Sequence, residues 1–438
     1  MHQYLRAAFW ILVYLALVLT PLFVLLIGPR PLAGGFWVDL SLALGFAGTA
    51  MMAVMFLLTA RFQRATAPFG IDLIYYFHRL ASIGAFIFIL LHPLLLVVRD
   101  PALLGAMHPA VMPWHLWAGT VSFAALAALM ITSLWRKQLR IHYDEWRVAH
   151  MLLAVAALVL AVAHIAGVAH YSALSWKSGL WLLIALSCGA TIVYVRLVKP
   201  LQMLRRPWRV VEVIEERGSS WTLVVRPERH AGFRFLPGQF AWLTLWSSPF
   251  AMKEHPFSIS SSAEAVREVQ FTIKELGDFT SRIGRVKPGT RVYLDGPYGT
   301  FSIDLSRAPG YVFIAGGVGI APVMSMLRTL VDRGDRRPLQ LFYAYHTWER
   351  LTFREELAQL KEQLDLEIVY VLSEPPPDWQ GETGYLSEEI FARHLPADRA
   401  ARECFICGPT PMIRVAERGL ARQGVPPTHI HSELFDLV

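Results

Sequence analysis

Residues 78–92 read HRLASIGAFIFILLH and residues 150–164 read HMLLAVAALVLAVAH. Both stretches are apolar, and each is bracketed by histidines fourteen positions apart. At about 3.6 residues per turn, fourteen steps return to within about 40° of the starting direction. His78 and His92 therefore share one helix face, as do His150 and His164. At about 1.5 Å per residue the members of each pair lie about 21 Å apart along the axis. A bilayer core is about 30 Å thick, so each leaflet receives one histidine from each helix. Ionisable side chains are costly inside lipid and mark functional positions.

Working outward, six stretches are long and apolar enough to span: roughly 7–28, 37–60, 73–98, 114–135, 148–170 and 179–198. A spanning helix needs about 20 such residues. The first run exceeds the 7–15 residues or so of a signal-peptide core and is expected to be retained. Residues 1–209 hold 16 Lys and Arg against 5 Asp and Glu, while residues 210–438 hold 25 against 29. The chain is 54% apolar and 17% charged. That excludes a uniformly soluble enzyme and a disordered chain. The basic excess sits among apolar spans, so nucleic acid is not an expected partner, whereas membrane lipid is.

The cations fall on alternate loops. Arg6, Arg61, Arg64, Arg136, Lys137, Arg140, Arg147, Arg196, Lys199, Arg205, Arg206 and Arg209 lie on one side. Arg30, Arg99 and Lys177 lie on the other. The basic side is expected to be cytoplasmic, placing both termini there in a multi-pass plasma membrane protein (the inner membrane in a bacterium). Spans 3 and 5 then run outward. His78 and His150 meet at the inner level, His92 and His164 at the outer. Two facing imidazoles can clamp one haem iron axially, and two levels give two stacked b-type haems. Ligands about 21 Å apart cannot share a zinc ion. Pro93 is expected to bend span 3 near its outer end. His108, His115 and His170 read as interfacial residues, although Arg99 and His115 could attract an anionic acceptor. Arg79 and Arg147 could pair with haem propionates or snorkel to the headgroups.

From residue 208 the pattern changes. WRVVEVIEERGSSWTLVVRPE alternates and breaks at Gly218-Ser219-Ser220, a hairpin signal. Short strands with turns at Pro237-Gly238, Lys287-Pro288-Gly289 and Asp295-Gly296-Pro297 predict a small antiparallel barrel up to about residue 305. Beyond Gly310, strands YVFIAGG, LQLFYAY, EIVYVL and ECFICG alternate with helical stretches and predict a parallel sheet. The turn at 315–322, AGGVGIAP, could let backbone approach a phosphate at a helix N-terminus. Equally, it could be a tight turn needing glycine for packing. HPFSISS at 255–261 mixes an aromatic ring with hydroxyls that could face a flavin. Cys404 and Cys407 point to opposite faces of a strand and lack a second pair, which argues against zinc.

In order, PGQF at 237–240, HPFSIS at 255–260, GDFT at 277–280, DGPYGT at 295–300, GGVGIAP at 316–322 and CGP at 407–409 resemble the ferredoxin–NADP reductase superfamily. Their fusion to six spans with paired H-x13-H helices resembles the NADPH oxidase and ferric reductase transmembrane family. The resemblance implies three regions: a haem-binding six-helix bundle (1–206), an FAD-binding antiparallel β-barrel (207–307) and an α/β NAD(P)H-binding domain (308–438). It implies that His255, Pro256, Phe257 and Ser258 line the FAD and that Thr280 reaches its phosphates. Gly316, Gly317 and Gly319 would hold the dinucleotide pyrophosphate, with Cys407, Gly408 and Pro409 beside the nicotinamide. Phe435 matches the terminal aromatic that stacks on the flavin. A 2′-phosphate site would fall near His346–Arg350, with Arg350 as its contact, making NADPH the expected donor and NADH possible.

The implied activity is that of an NAD(P)H oxidase or ferric-reductase-like oxidoreductase needing no protein partner. Electrons pass from cytoplasmic NAD(P)H through FAD and both haems to an outer acceptor. Oxygen, leaving as superoxide, is the first expectation. A ferric chelate, or a periplasmic protein, is the alternative. Animal members carry a further histidine one turn past the outer ligand of span 3. Leu96 stands there in this chain, so an oxygen site built on that histidine does not carry over.

Overall fold

The computed structural model describes residues 2–27, 34–62, 70–106, 108, 110–170, 172, 175–265 and 267–434. They form two compact units, divided between Pro200 and Leu201.

The first unit contains six helices long and apolar enough to cross a membrane. They are α1 (His2–Leu26), α2 (Phe36–Leu58), α3 (Gly70–Arg99), α4 (Trp114–Leu134), α5 (Tyr143–Val168) and α6 (Ser175–Val193). Helix α3 continues past Pro93 to Arg99. Helix α5 starts earlier than hydropathy predicts. Asp144 and Glu145 occupy its first turn, where carboxylates favour the positive end of the helix dipole. The guanidinium groups of Arg136 and Arg147 lie 5.2 and 5.5 Å from the Tyr143 ring centre.

Helix α6 also starts earlier, and it takes in Lys177, which the charge pattern places in a loop. That side chain is 1% exposed, and its Nζ donates to the Leu25 carbonyl of α1 at 2.8 Å. A lysine can be buried here because its ammonium meets a carbonyl left open at a helix end. Past Val193 the chain runs through a π-helical turn, Tyr194–Val198. Neighbouring helices pack as two antiparallel hairpins, α2 with α3 and α4 with α5.

The second unit holds two six-stranded sheets. The first comprises β1 (Trp208–Glu216), β2 (Ser220–Pro227), β3 (Phe240–Leu245), β4 (His255–Ser258), β5 (Val269–Lys274) and β6 (Arg291–Tyr298), in the order β4-β3-β6-β1-β2-β5. All its pairings are antiparallel. A bridge between Ile259 and Phe271 ties its two edges together and curls the sheet into a barrel. Inward residues such as Val210, Leu223, Leu243 and Phe271 fill it.

The second sheet is parallel throughout, in the order β10-β9-β8-β7-β11-β12. Its strands are β7 (Tyr311–Gly316), β8 (Leu339–Tyr345), β9 (Leu366–Leu372), β10 (Glu382–Thr383), β11 (Glu403–Gly408) and β12 (Ile430–Leu434). Strands β7 and β11 are buried at every residue, as central parallel strands covered on both faces must be. Helices α7 (Ile320–Asp332), α8 (Arg354–Gln363), α9 (Glu388–His394) and α10 (Thr410–Arg422) complete this α/β layer.

One face of α7 joins the sheets. Ser325 Oγ donates to Ser261 O at 2.7 Å, and Thr329 Oγ1 accepts from Ala263 N at 2.9 Å. Arg328 donates to Ser260 O at 2.7 Å and Gln270 Oε1 at 3.0 Å, while Glu356 of α8 holds its other edge in two 2.7 Å bonds. The residues at i, i+3 and i+4 lie on one helix face. The segment they grip continues directly from β4, and the glycine turn at 316–319 opens α7. That turn is therefore held in fixed relation to the HPFS strand.

Candidate electron-transfer sites

In the first unit, α3 and α5 bring the four histidines into two facing pairs. The His78 and His150 ring centres are 6.3 Å apart, and so are those of His92 and His164. Two metal–nitrogen bonds of about 2 Å, with about 1 Å from each nitrogen to its ring centre, put paired imidazoles roughly 6 Å apart across one ion. Both levels match that separation.

The neighbouring helices orient the rings. His92 Nδ1 lies 3.0 Å from the Ser41 carbonyl and 3.1 Å from Ser41 Oγ, and that hydroxyl donates its own proton to His92 O at 2.7 Å. His164 Nδ1 lies 2.8 Å from the His115 carbonyl. His150 Nδ1 lies 3.2 Å from Ser133 Oγ, whose proton goes to Leu129 O at 2.7 Å. A carbonyl, or a hydroxyl whose proton is spent, can only accept. In all three histidines Nδ1 must therefore carry the proton, leaving the Nε2 lone pair for a metal. Among the described residues His78 Nδ1 is buried without a partner, as is the indole N–H of Trp146, whose ring lies 5.0 Å from that of His150. Orphaned buried polar atoms call for a bound group.

Among the described residues no three His, Cys, Asp or Glu side chains gather as a bare ion would need. A pair of imidazoles per level suits a planar macrocycle that supplies the remaining ligands itself, so the donor set fits haem.

Sequence reasoning missed the glycines that make room. A Cβ on Gly119 of α4 would stand 2.7 Å from His164 Nδ1, and one on Gly45 of α2 would stand 3.1 Å from the His92 ring. The available signal was their placement four residues after His115 and Ser41.

In the barrel, β4 carries His255, Pro256, Phe257 and Ser258. Phe279 joins them, its ring 4.0 Å from that of His255 and 6.0 Å, stacked, from that of Phe257. Ser258 Oγ is buried without a partner among the described residues. An aromatic ledge beside an unmet hydroxyl suits a flavin. Thr280 follows Phe279 at the end of the GDFT turn. Its hydroxyl accepts from Leu276 N at 2.8 Å and Gly277 N at 3.0 Å, closing its own loop.

At the ends of β7 and β11 the glycines divide their work. Gly317, with φ +56°, makes the turn in open space. A Cβ on Gly319 would stand 2.2 Å from Cys407 O. On Gly316 or Gly408 it would stand 2.5 Å from the Met412 side chain. Pro409 sits at the head of α10. The two strand ends thus touch, so Gly316, Gly319 and Gly408 are needed for packing, while the space beside Gly317 is left open. Cys407 is fully buried in one face's core and Cys404 in the other's, where burial pushes the Cys404 thiol up to about 12. Arg350 reaches Ser219 Oγ in the β1–β2 turn at 3.3 Å, whereas His346 bonds Ser373 where β8 and β9 end. Phe435 lies outside the described residues.

Comparison with known proteins agrees with this division. The family model "Ferric reductase like transmembrane component" matches residues 44–161, "FAD-binding domain" matches 204–302 and "Oxidoreductase NAD-binding domain" matches 313–418. The chain is similar to the propane 2-monooxygenase reductase component of Rhodococcus jostii (strain RHA1). Identity is 31% over 245 residues, covering 54% of this chain and 64% of that protein. It is likewise similar to the propane 2-monooxygenase reductase component of Mycolicibacterium goodii, at 30% identity over 54% of this chain and 68% of that protein. The chain spans just under two thirds of the first of these relatives. Among solved structures, a ferredoxin reductase in carbazole 1,9a-dioxygenase is similar over 52% of this chain and 69% of that one, with 25% identity and a TM-score of 0.47.

A ferric-reductase-type membrane component followed by an FAD-binding and an oxidoreductase NAD-binding domain gives this chain the domain architecture of the NADPH oxidase and ferric reductase transmembrane family, an arrangement suited to transmembrane NAD(P)H electron transfer.

Proposed function

We propose that the protein takes electrons from NAD(P)H on the cytoplasmic side and delivers them, through FAD and two stacked b-type haems, to an acceptor on the outer side, with oxygen leaving as superoxide. The observation that carries this reading is the 6.3 Å imidazole separation, repeated at two levels on the same two helices. The basic loops beside α3 and α5 support the orientation, with His78 and His150 toward the cytoplasm.

Bound flavin and haem supply the conversion of a two-electron donor into single-electron steps, which no side chain here can perform. The chain's own residues hold and exclude. Phe257, Phe279 and His255 form a face for the flavin ring, Pro256 holds the strand's course, and Ser258 offers the unmet hydroxyl. Thr280, whose hydroxyl also closes the turn at 276–280, reaches the flavin phosphates. Gly316, Gly317 and Gly319 bring the dinucleotide pyrophosphate to the head of α7. Gly408, Pro409 and the carbonyl end at Cys407 border the nicotinamide, with Phe435 following β12. Arg350 is the cation for a 2′-phosphate. His78 with His150 and His92 with His164 would hold the two haems, and with an imidazole from each side an acceptor would be reduced without binding iron.

Purified protein given NADPH without oxygen should develop reduced-haem bands, then return to the oxidised spectrum as superoxide forms on admitting oxygen. Reoxidation by ferric citrate with no reaction toward oxygen would favour the ferric-chelate reading, which Leu96 and the matched family description support. A colourless protein, or haem that stays oxidised with both NADPH and NADH, would refute the scheme.

A further inference from the structure

The two ligand hairpins repeat each other residue by residue. Ser41 and Gly45 of α2 meet His92; His115 and Gly119 of α4 meet His164. A Cβ on Gly48 of α2 would meet Ala85 O at 3.1 Å, and Ser122 Oγ of α4 donates to Ala157 O at 2.7 Å. Every α2 position lies 74 residues before its α4 counterpart, and every α3 position 72 before its α5 counterpart. Ser133, the acceptor for His150, thus corresponds to Thr59, and His150 corresponds to His78. Thr59 Oγ1 donates to Met55 O at 2.9 Å, just as Ser133 Oγ donates to Leu129 O at 2.7 Å. Met55 and Leu129 also correspond. Like Ser133, Thr59 has its proton committed and lone pairs to offer, and among the described residues His78 Nδ1 is the one Nδ1 of the four paired histidines without an acceptor.

We infer that Thr59 is the positioning residue of His78, accepting from its Nδ1–H in the haem-loaded protein. Resting on the bis-haem reading, the inference deepens it. The outer ligands are held by backbone carbonyls, and the inner ligands by the hydroxyls of Thr59 and Ser133. An acceptor on Nδ1 makes the imidazole a more basic ligand and favours ferric iron.

Spectroelectrochemical titration of full-length Thr59→Val, Thr59→Ser and Ser133→Ala proteins tests this. Thr59→Val and Ser133→Ala should raise the potential of the same titration step, with up to a tenfold change in ferric-to-ferrous preference, about 59 mV for one electron. The other step should stay fixed. Thr59→Ser keeps the hydroxyl and should titrate like wild type, which also covers the case in which the valine variant fails to assemble. Thr59→Val moving neither step, or moving a different step from Ser133→Ala, overturns the assignment. So does Thr59→Ser shifting as far as valine, since packing would then be the cause. Wild-type protein that binds no haem sinks the bis-haem reading itself, a result distinguishable from a failure of Thr59 alone.

Discussion

Glycine does opposite work in the two halves of this molecule. In the membrane half, Gly45 and Gly119 hold space open so that an imidazole ring can lie flat against a neighbouring helix. In the reductase half, Gly316, Gly319 and Gly408 close space so that two strand ends can touch. A glycine's meaning is set by what stands across from it, which a single sequence does not display. If the contrast is right, alanine where a membrane glycine presses closest on an imidazole should cost haem and leave the fold, while alanine where the reductase strand ends touch should cost the fold.

The largest expected effect sets the scale for that contrast. His92→Ala or His164→Ala should halve the haem bound per protein, by pyridine haemochrome assay, and abolish reduction of the outer acceptor. NADPH should still reduce the remaining haem. Gly119→Ala comes next. Its Cβ would press on the ring nitrogen that bonds the His115 carbonyl, so most outer-haem occupancy should be lost while the helix content seen by circular dichroism is kept. Gly45→Ala meets its ring at 3.1 Å, where a few tenths of an ångström suffice, and should retain most of its haem. Equal losses from the two variants would break the idea that ring clearance is what these glycines provide.

In the reductase half the order should follow backbone contact. Gly319→Ala drives a methyl against the Cys407 carbonyl, which no rotamer relieves, and should cost about 3 kcal/mol of stability. Gly317→Ala meets nothing and pays only for its left-handed backbone, about 1 kcal/mol. Denaturant midpoints of the two variants decide the ranking. If Gly317→Ala nonetheless loses most affinity for the nicotinamide dinucleotide, as read by KM, open space at that turn belongs to the ligand.

These contrasts bear on what was legible from sequence. The paired histidines were, because an ionisable residue in lipid is expensive and two equal spacings leave little else to explain. The barrel and the parallel sheet were, through their differing periods. The hairpin repeat was not. Its marks are small residues, Ser41, Gly45, Thr59, Gly119 and Ser133, which are common in membrane helices and carry no period. Lys177 was misplaced because a charge normally ends a span, and a carbonyl at the end of another helix overrode that rule. The loop-closing bonds of the Thr280 hydroxyl were not legible either, since a motif fixes a residue's place in the chain and not the direction of its lone pairs.

The smallest effect separates packing from surface charge within the reductase half. Arg217, in the β1–β2 turn, forks onto Glu355 of α8 through bonds of 2.8 and 3.1 Å. The guanidinium holds the Glu355 carboxyl down at about 2, against an ordinary value of 4.5. A carboxylate depressed on folding contributes its stability above the ordinary value and loses it as pH falls toward the depressed one. The Glu355 side chain is 58% exposed, so solvent screens most of that gain and at most about 0.5 kcal/mol should remain at neutral pH. Wild type and Glu355→Gln should therefore differ slightly in unfolding midpoint at pH 7 and converge between about pH 4.5 and 2. The gap should also shrink in molar salt, whereas the Gly319→Ala deficit, being steric, should not. A salt-independent gap at Glu355 would mean that the carboxylate holds the turn by geometry rather than by charge.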